Sequence, residues 1–366
     1  MTGSYSVGNH AEILERSPIS IDTLKDLYYL FHKSKWEIMQ KTGVIGVGVM
    51  GQNHARIYSE ISTLVGISDT NQQLGKEIAK RFNIKFYKDY KELLNDDIEA
   101  VSIATPTTTH YKIATDALKA GKHILVEKPF CSTIDEATKL DNMAKEKDLT
   151  LAIGLIERHN PIVKFIKESI QKDEFGKIIS INARRVSSFP PRVKDVGVII
   201  DLAIHDIDII RYLTNSEIDT VYAIGGGGGS GKFEDHANIL LDMENEINGF
   251  IEVNWLTPMK VRKLSLTCSR RYVEAEYIDQ SITVSSSKVL DLDTQDIYST
   301  PLENDIRHIH LKKQEPLKNE LLNFLNAIIE KKRPLVTGED GIQSLTVATA
   351  AVKSLKEKRP IKLNEM

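Results

Sequence analysis

The chain has 366 residues, 41% of them hydrophobic and 27% charged, which suits a globular protein of two domains better than a single core. Its 48 Lys and Arg against 51 Asp and Glu leave a net charge of −3, without the basic excess that nucleic-acid binding requires. Two distant cysteines, Cys131 and Cys268, argue against a disulfide framework or a zinc site and for a reducing cytoplasm.

The opening "MTGSYSVGNHAEILERS" has no basic start followed by an apolar run, so no secretion signal is expected. Residues 18–40 place Leu24, Leu27, Tyr28, Phe31, Ile38 and Met39 near helical spacing, with Ser20 as N-cap. Residues 1–41 therefore read as a helical arm that packs on the body or on a partner chain. From residue 42 short β-rich runs alternate with helices: "TGVIGVG", "NHARIYSEI", "TLVGISD", "NQQLGKEIAKRF", and so on to "LTLAIGL". That rhythm predicts a doubly wound parallel sheet, a Rossmann domain, over residues 42–156. Residues 157–366 read as an α+β domain, an open and mainly antiparallel sheet with helices on one face. Its strands include "KIISINARRV", "HANILLDM", "INGFIEVNWL" and "KLSLTCS". One helix holds residues 199–213, another runs from about Leu317 to Lys331, and a last one lies in "GEDGIQSLTVATAAVKS". The run Gly225 to Gly229 lacks the strand-to-helix setting and the following Lys-Ser/Thr of a phosphate loop, so a hairpin loop is expected. The most apolar window is broken by Asp201, His205, Asp206, Asp208 and Arg211, which excludes a membrane helix there.

The first strand runs into Gly46-x-Gly48-x-x-Gly51 and then into a helix. Each glycine answers a need: a tight turn, room for a pyrophosphate against backbone N–H groups, and close helix–strand packing. The next strand ends in Asp69, a carboxylate able to accept both ribose hydroxyls and to repel a 2′-phosphate. No Lys or Arg follows in "DTNQQLG", so NAD is expected over NADP.

"ILVEKPF" ends the fifth strand in Glu127-Lys128-Pro129, at the sheet edge that borders a dinucleotide crevice. In "IIDLAIHDIDIIRYL", residues 199–213, Asp201, His205 and Asp208 share one helical stripe while apolar residues cover the rest. Burying such groups costs free energy unless they are paired. The stripe therefore either lines a cavity or forms a buried hydrogen-bond network. Asp206 lies off it and is expected to make a structural contact.

These features resemble the Gfo/Idh/MocA family of two-domain NAD(P)-dependent sugar dehydrogenases, from Thr42 to Leu363. The carriers are the early glycine turn, "ATPTTTH", "EKP", the Asp201-x-x-x-His205 pair, "EPLKNELLNFLNAI" and "GEDGIQSLTVATAAVKS". The resemblance implies His205 as base, Lys128 as its electrostatic partner and Asp201 as the residue that holds a neighbouring hydroxyl. It implies cofactor contacts at Gly46, Gly48, Val49, Met50, Gly51, Asp69, Thr105, Pro106, His110, Glu127, Lys128 and Arg158, and no metal. The segment "IGLIERHNP" also matches, with His159 where the family more often has an aromatic such as Phe.

"RRVSSFPPRVKDVGVIID" brings Arg184, Arg185, Arg192 and Lys194 near the catalytic helix. Its wording resembles the UDP-N-acetylglucosamine 3-dehydrogenase branch of the family, and a cationic loop suits a diphosphate-linked sugar. Arg192 and Lys194 are then expected to bind substrate beside Lys128, Asp201 and His205. The alternatives are a dehydrogenase of a free sugar or inositol, and a non-catalytic dinucleotide-binding regulator that has no need of Lys128, Asp201 and His205 together. Relatives pair through the open sheet face, which implies a homodimer or homotetramer; no nucleic-acid or membrane partner is expected.

Overall fold

The computed structural model describes residues 40–190, 196–227, 233–289 and 302–366. The leading arm through residue 39, Arg192 and Lys194, and the end of the glycine run (residues 228 and 229) lie outside the described residues.

Six parallel strands form the first sheet: β1 (Lys41–Ile45), β2 (Thr63–Ser68), β3 (Lys85–Tyr87), β4 (Ala100–Ile103), β5 (His123–Glu127) and β6 (Leu151–Gly154). Their order is β3-β2-β1-β4-β5-β6. The order reverses between β1 and β4, so the crevice of a doubly wound sheet opens at the carboxyl ends of those two strands. Every residue of β4 and of β6 is buried, as expected of strands covered by helices on both faces. The covering helices are α1 (Val49–Ile61), α2 (Gln72–Phe82), α3 (Tyr90–Leu94), α4 (Thr107–Lys119) and α5 (Ile134–Glu146). Their starts are written in the sequence: Asn71 accepts from the Leu74 amide at 3.1 Å, and Thr133 from the Glu136 amide at 3.2 Å.

The second sheet has nine strands: β7 (Ile178–Ser188), β8 (Ile218–Gly226), β9 (His236–Met243), β10 (Asn248–Asn254), β11 (Leu256–Cys268), β12 (Tyr272–Glu276), β13 (Ser281–Val289), β14 (Leu302–His310) and β15 (Ile361–Lys362). In the order β14-β13-β12-β11-β7-β10-β9-β8-β15 every neighbour is antiparallel except β7 and β10. Ala237, Ile239, Leu241 and Met243 of β9 point into the core, while Leu240 between them is half-exposed. Ile179 and Ile224 are also half-exposed, so one face is covered by helices and the other is open.

Helices α6 (Pro161–Gln171), α7 (Ile204–Thr214), α8 (Pro316–Glu330) and α9 (Gly338–Glu357) complete the described fold. Helix α8 packs Leu317, Leu321 and Phe324 into the same core as Ile57 and Tyr58 of α1. Helix α6 and strand β14 are additions to the elements expected from sequence. Asn160 caps α6 through the Ile162 amide at 3.3 Å with Pro161 in its first turn, a legible start. Strand β14, "LENDIRHIH", lies at the sheet edge and lacks the alternation that marks a half-buried strand. Among the described residues no helix is long and apolar enough to cross a membrane.

Candidate active site

The turn after β1 is shaped by its glycines. Gly46 has φ +85°, and a Cβ there would meet the Ala104 carbonyl oxygen at 2.6 Å. A Cβ on Gly51 would lie 1.8 Å from the Gly46 oxygen, so α1 can approach the strand only without one. Gly48 faces open space and N-caps α1 with no side chain occupying the cap. The first amides of α1, at Val49, Met50 and Gly51, are thus available to an anion. Asp69 stands at the end of β2; its Oδ2 accepts from the Val47 amide and its Oδ1 from the Asn71 amide, each at 2.7 Å. Each oxygen keeps a second lone pair for a ribose hydroxyl. An open cradle, a bare helix N-terminus and an acceptor at the neighbouring strand end fit an adenine dinucleotide.

Thr105 and Pro106 follow β4 and border the same crevice. His110, expected at the cofactor, is turned inward. Its Nδ1 lies 3.0 Å from the Pro129 carbonyl and its Nε2 2.9 Å from the Thr105 carbonyl. Both ring nitrogens are engaged, so the residue clamps the loop after β4 to the loop after β5. Glu127 likewise has protein partners: it is buried, with Oε1 2.9 Å from His54 Nε2 and Oε2 accepting from the Lys128 amide at 3.2 Å.

Lys128 leaves the end of β5 and crosses to the other half of the chain. Its Nζ donates to Asp201 Oδ1 at 2.7 Å and to the Asp201 carbonyl at 2.8 Å, with the two side chains 15% and 5% exposed. Asp201 sits in a π-helical turn, Ile199–Ala203, that feeds α7, and such wide turns recur at functional sites. His205, four residues on, is buried in the first turn of α7.

The expected stripe stops there. Asp208 does not face the crevice. It accepts Arg158 Nε at 2.8 Å and Nη2 at 2.6 Å, and the Arg158 guanidinium also reaches Asp340 at 2.8 Å and the Leu335 carbonyl at 3.2 Å. Arg158, expected at the cofactor, is thus held by protein partners: Asp208, Asp340 and the Leu335 carbonyl. Burial opposes its charge, but Asp208 and Asp340 override that and hold the guanidinium pKa above its usual range. Asp206, off the stripe, binds Arg185 bidentately at 2.7 and 2.9 Å, and Arg185 Nη1 donates to Glu157 at 2.7 Å. Arg185 is thereby removed from any diphosphate role. Arg184, on the opposite side of β7, pairs with Glu252 at 2.9 Å and lines a depression of the open face with Lys263 and Glu274. Neither arginine belongs to a substrate loop. His159 is buried beside Arg158, and burial together with that neighbouring charge pushes its pKa down to about 3.

One residue escaped the sequence reading. Arg262 of β11 pairs in register with Arg185, its Nη1 is buried without a hydrogen-bond partner, and burial and the Arg185 charge lower its pKa to about 10. Asp206, Glu157 and Asp201 act on it in the opposite sense, and its register partner Arg185 binds Asp206 of α7. Its only sequence signal was a basic residue at an inward position of β11.

A family model described as "Oxidoreductase family, NAD-binding Rossmann fold" matches residues 40–155, and one for the GFO/IDH/MocA C-terminal domain matches residues 163–274. UDP-N-acetylglucosamine 3-dehydrogenase of Acidithiobacillus ferrooxidans is 32% identical over 316 residues, 86% of this chain and 96% of the relative. Its solved structure superposes with a TM-score of 0.78 at 30% identity, covering 87% of this chain and 99% of that one. Myo-inositol 2-dehydrogenase of Thermotoga maritima is 27% identical over 343 residues, 89% of this chain and 99% of the relative. A levoglucosan dehydrogenase solved with NADH, 21% identical with a TM-score of 0.78 over 88% of this chain and 99% of that one, shares the fold. The chain belongs to the Gfo/Idh/MocA family of oxidoreductases, as a dehydrogenase whose cofactor is NAD.

Proposed function

We propose that the protein oxidises a secondary hydroxyl of a nucleotide sugar to a ketone. The observation that carries the chemistry is the Lys128–Asp201 contact at 2.7 Å with His205 one turn further on. Bound NAD supplies the acceptor for the hydride that leaves the carbinol carbon. The proton of the same hydroxyl passes from its oxygen to an imidazole nitrogen of His205, since an imidazole is suited to take a proton near neutral pH. Lys128 has three N–H donors. Two point to Asp201, and the third serves the substrate oxygen, where negative charge develops. Asp201 holds Lys128 in place and accepts from a neighbouring hydroxyl. The crevice residues Gly46, Gly48, Val49, Met50, Gly51, Asp69, Thr105 and Pro106 bind the dinucleotide.

Arg262, with a buried and unpartnered Nη1, supports an anionic substrate, because a desolvated guanidinium is satisfied best by an anion. Arg192 and Lys194 are its counterparts from the sequence. The 32% identity to UDP-N-acetylglucosamine 3-dehydrogenase points the same way, and the 27% identity to myo-inositol 2-dehydrogenase keeps free polyols as the second reading. NADH absorbance across a panel of nucleotide sugars, free sugars and inositols decides between them, and turnover of free polyols alone would overturn the first. The half-exposed Ile179, Ile224 and Leu240 on the open sheet face support a homodimer or homotetramer, which light scattering tests. The free, buried Cys131 and Cys268 support residence in a reducing cytoplasm.

A further inference from the structure

The chemistry above leaves one buried cluster unused. His54 from α1, Glu127 at the end of β5 and Glu320 from α8 are all buried. A ring nitrogen of His54 and one oxygen of each carboxyl lie within 4.8 Å of one another. Glu127 has partners, His54 at 2.9 Å and the Lys128 amide at 3.2 Å. Glu320 has none: neither of its oxygens meets a hydrogen-bond donor. The charged groups that act on it are Glu127 and Glu157, both carboxyls. A buried carboxylate without a cation or donors is not tolerated; such a group keeps its proton instead. Burial opposes the charge of Glu127 too, but His54 and Lys128 hold it ionised, so the cluster has room for one negative charge and not two.

We propose that Glu320 carries a proton and acts as a positioning residue, its neutral carboxyl allowing the ionised Glu127 to hold His54 and the Lys128 amide undisturbed. The cluster joins the helix that begins at the glycine turn, the strand that ends just before Lys128, and a helix contributed from late in the chain. Ionising Glu320 would set a second carboxylate against Glu127, compete for His54 and loosen the backbone from which Lys128 reaches Asp201. This positioning role rests on the reading of Lys128 given above; the protonation state does not. A divalent cation held by the same three groups is the competing arrangement.

Infrared difference spectra of the intact protein separate the two. At neutral pH the wild type should show the C=O stretch of a protonated carboxyl, absent from Glu320→Gln and retained in the exposed control Glu60→Gln. Glu320→Gln, uncharged and of the same size, should keep kcat near the parent value. Glu320→Ala should lower kcat by roughly 10²-fold through misplacement of Lys128, with NAD affinity unchanged. No protonated band in the wild type, or one equivalent of divalent metal bound to the wild type and lost in Glu320→Gln, overturns the proposal. A Glu320→Gln loss equal to that of Glu320→Ala also overturns it. If Glu320→Ala does not fold, the band and the Gln variant still decide. A band that persists while Lys128→Ala remains fully active would instead fault the reading of Lys128.

Discussion

Arg158 and Asp208 face each other through two hydrogen bonds of 2.8 and 2.6 Å, with almost no solvent on either side chain. The pair holds α7 against the turn that follows β6, and so sets where Asp201 and His205 stand. Removing Asp208 takes both of these hydrogen bonds from a buried guanidinium and leaves it Asp340 as its remaining carboxylate. Asp208→Ala should cost about 3–5 kcal/mol of stability, visible as a lower midpoint in urea. A loss smaller than about 1 kcal/mol would show that Asp340 alone holds the Arg158 charge.

His205→Ala and Lys128→Ala should leave NAD binding intact while turnover falls by ~10²–10⁴-fold, the range for a positioned acid–base group. Calorimetric titration with NAD, alongside steady-state kinetics, separates the two effects. A matching fall in NAD affinity would assign these residues to the cofactor instead.

Asp69 should set cofactor choice. Fluorescence titration is expected to give tighter binding of NAD than of NADP, and Asp69→Ala should weaken NAD and narrow the gap. Tighter NADP binding by the wild type would remove the carboxylate from the ribose.

How much of this was visible beforehand depends on the kind of constraint. Gly46 and Gly51 were legible because only glycine meets those backbone demands, and Gly48 because a side chain there would take the room left for a pyrophosphate. Lys128 and Asp201 were legible because a strand end and a helix stripe fix where side chains go. The pairing of Arg158 with Asp208 and Asp340, and of Glu127 with His54, was not legible because those partners lie 50 to 182 positions away along the chain, and spacing says nothing about distant partners. Arg262 and Glu320 passed unnoticed for a related reason. Each looks like an ordinary polar residue of a strand or an amphipathic helix until the packing around it is known.

Stability should depend on pH through His159. Its folded pKa of about 3 lies below the ~6.5 of an unfolded imidazole. Between those values the unfolded chain binds the proton and the folded one does not. The contribution is therefore complete above pH ~6.5 and is lost progressively on acidification toward 3. Thermal melts from pH 7.5 to 4.5 should show His159→Phe losing less stability than the wild type, and equal losses would mean that the imidazole is protonated in the fold.

Substrate contacts should divide by charge. Arg262→Ala and Arg192→Ala should raise KM for a nucleotide sugar far more than they lower kcat, since a contact kept from ground state to transition state affects binding alone. A free sugar should be indifferent to Arg192→Ala. Equal losses on both substrates would make Arg192 structural.

The ion pair of Arg158 with Asp340 spans 182 positions of sequence, and β15 closes the sheet beside β8 only at Ile361–Lys362. On the ribosome, the parallel strands through Gly154 are complete long before either event. A nascent chain halted before α9 has made Lys128, Asp201 and His205, yet lacks the carboxylate and the last strand that hold their helix in register. Lys128, Asp201 and His205 are thus in the chain well before the groups that align them, Asp340 among them, have been made.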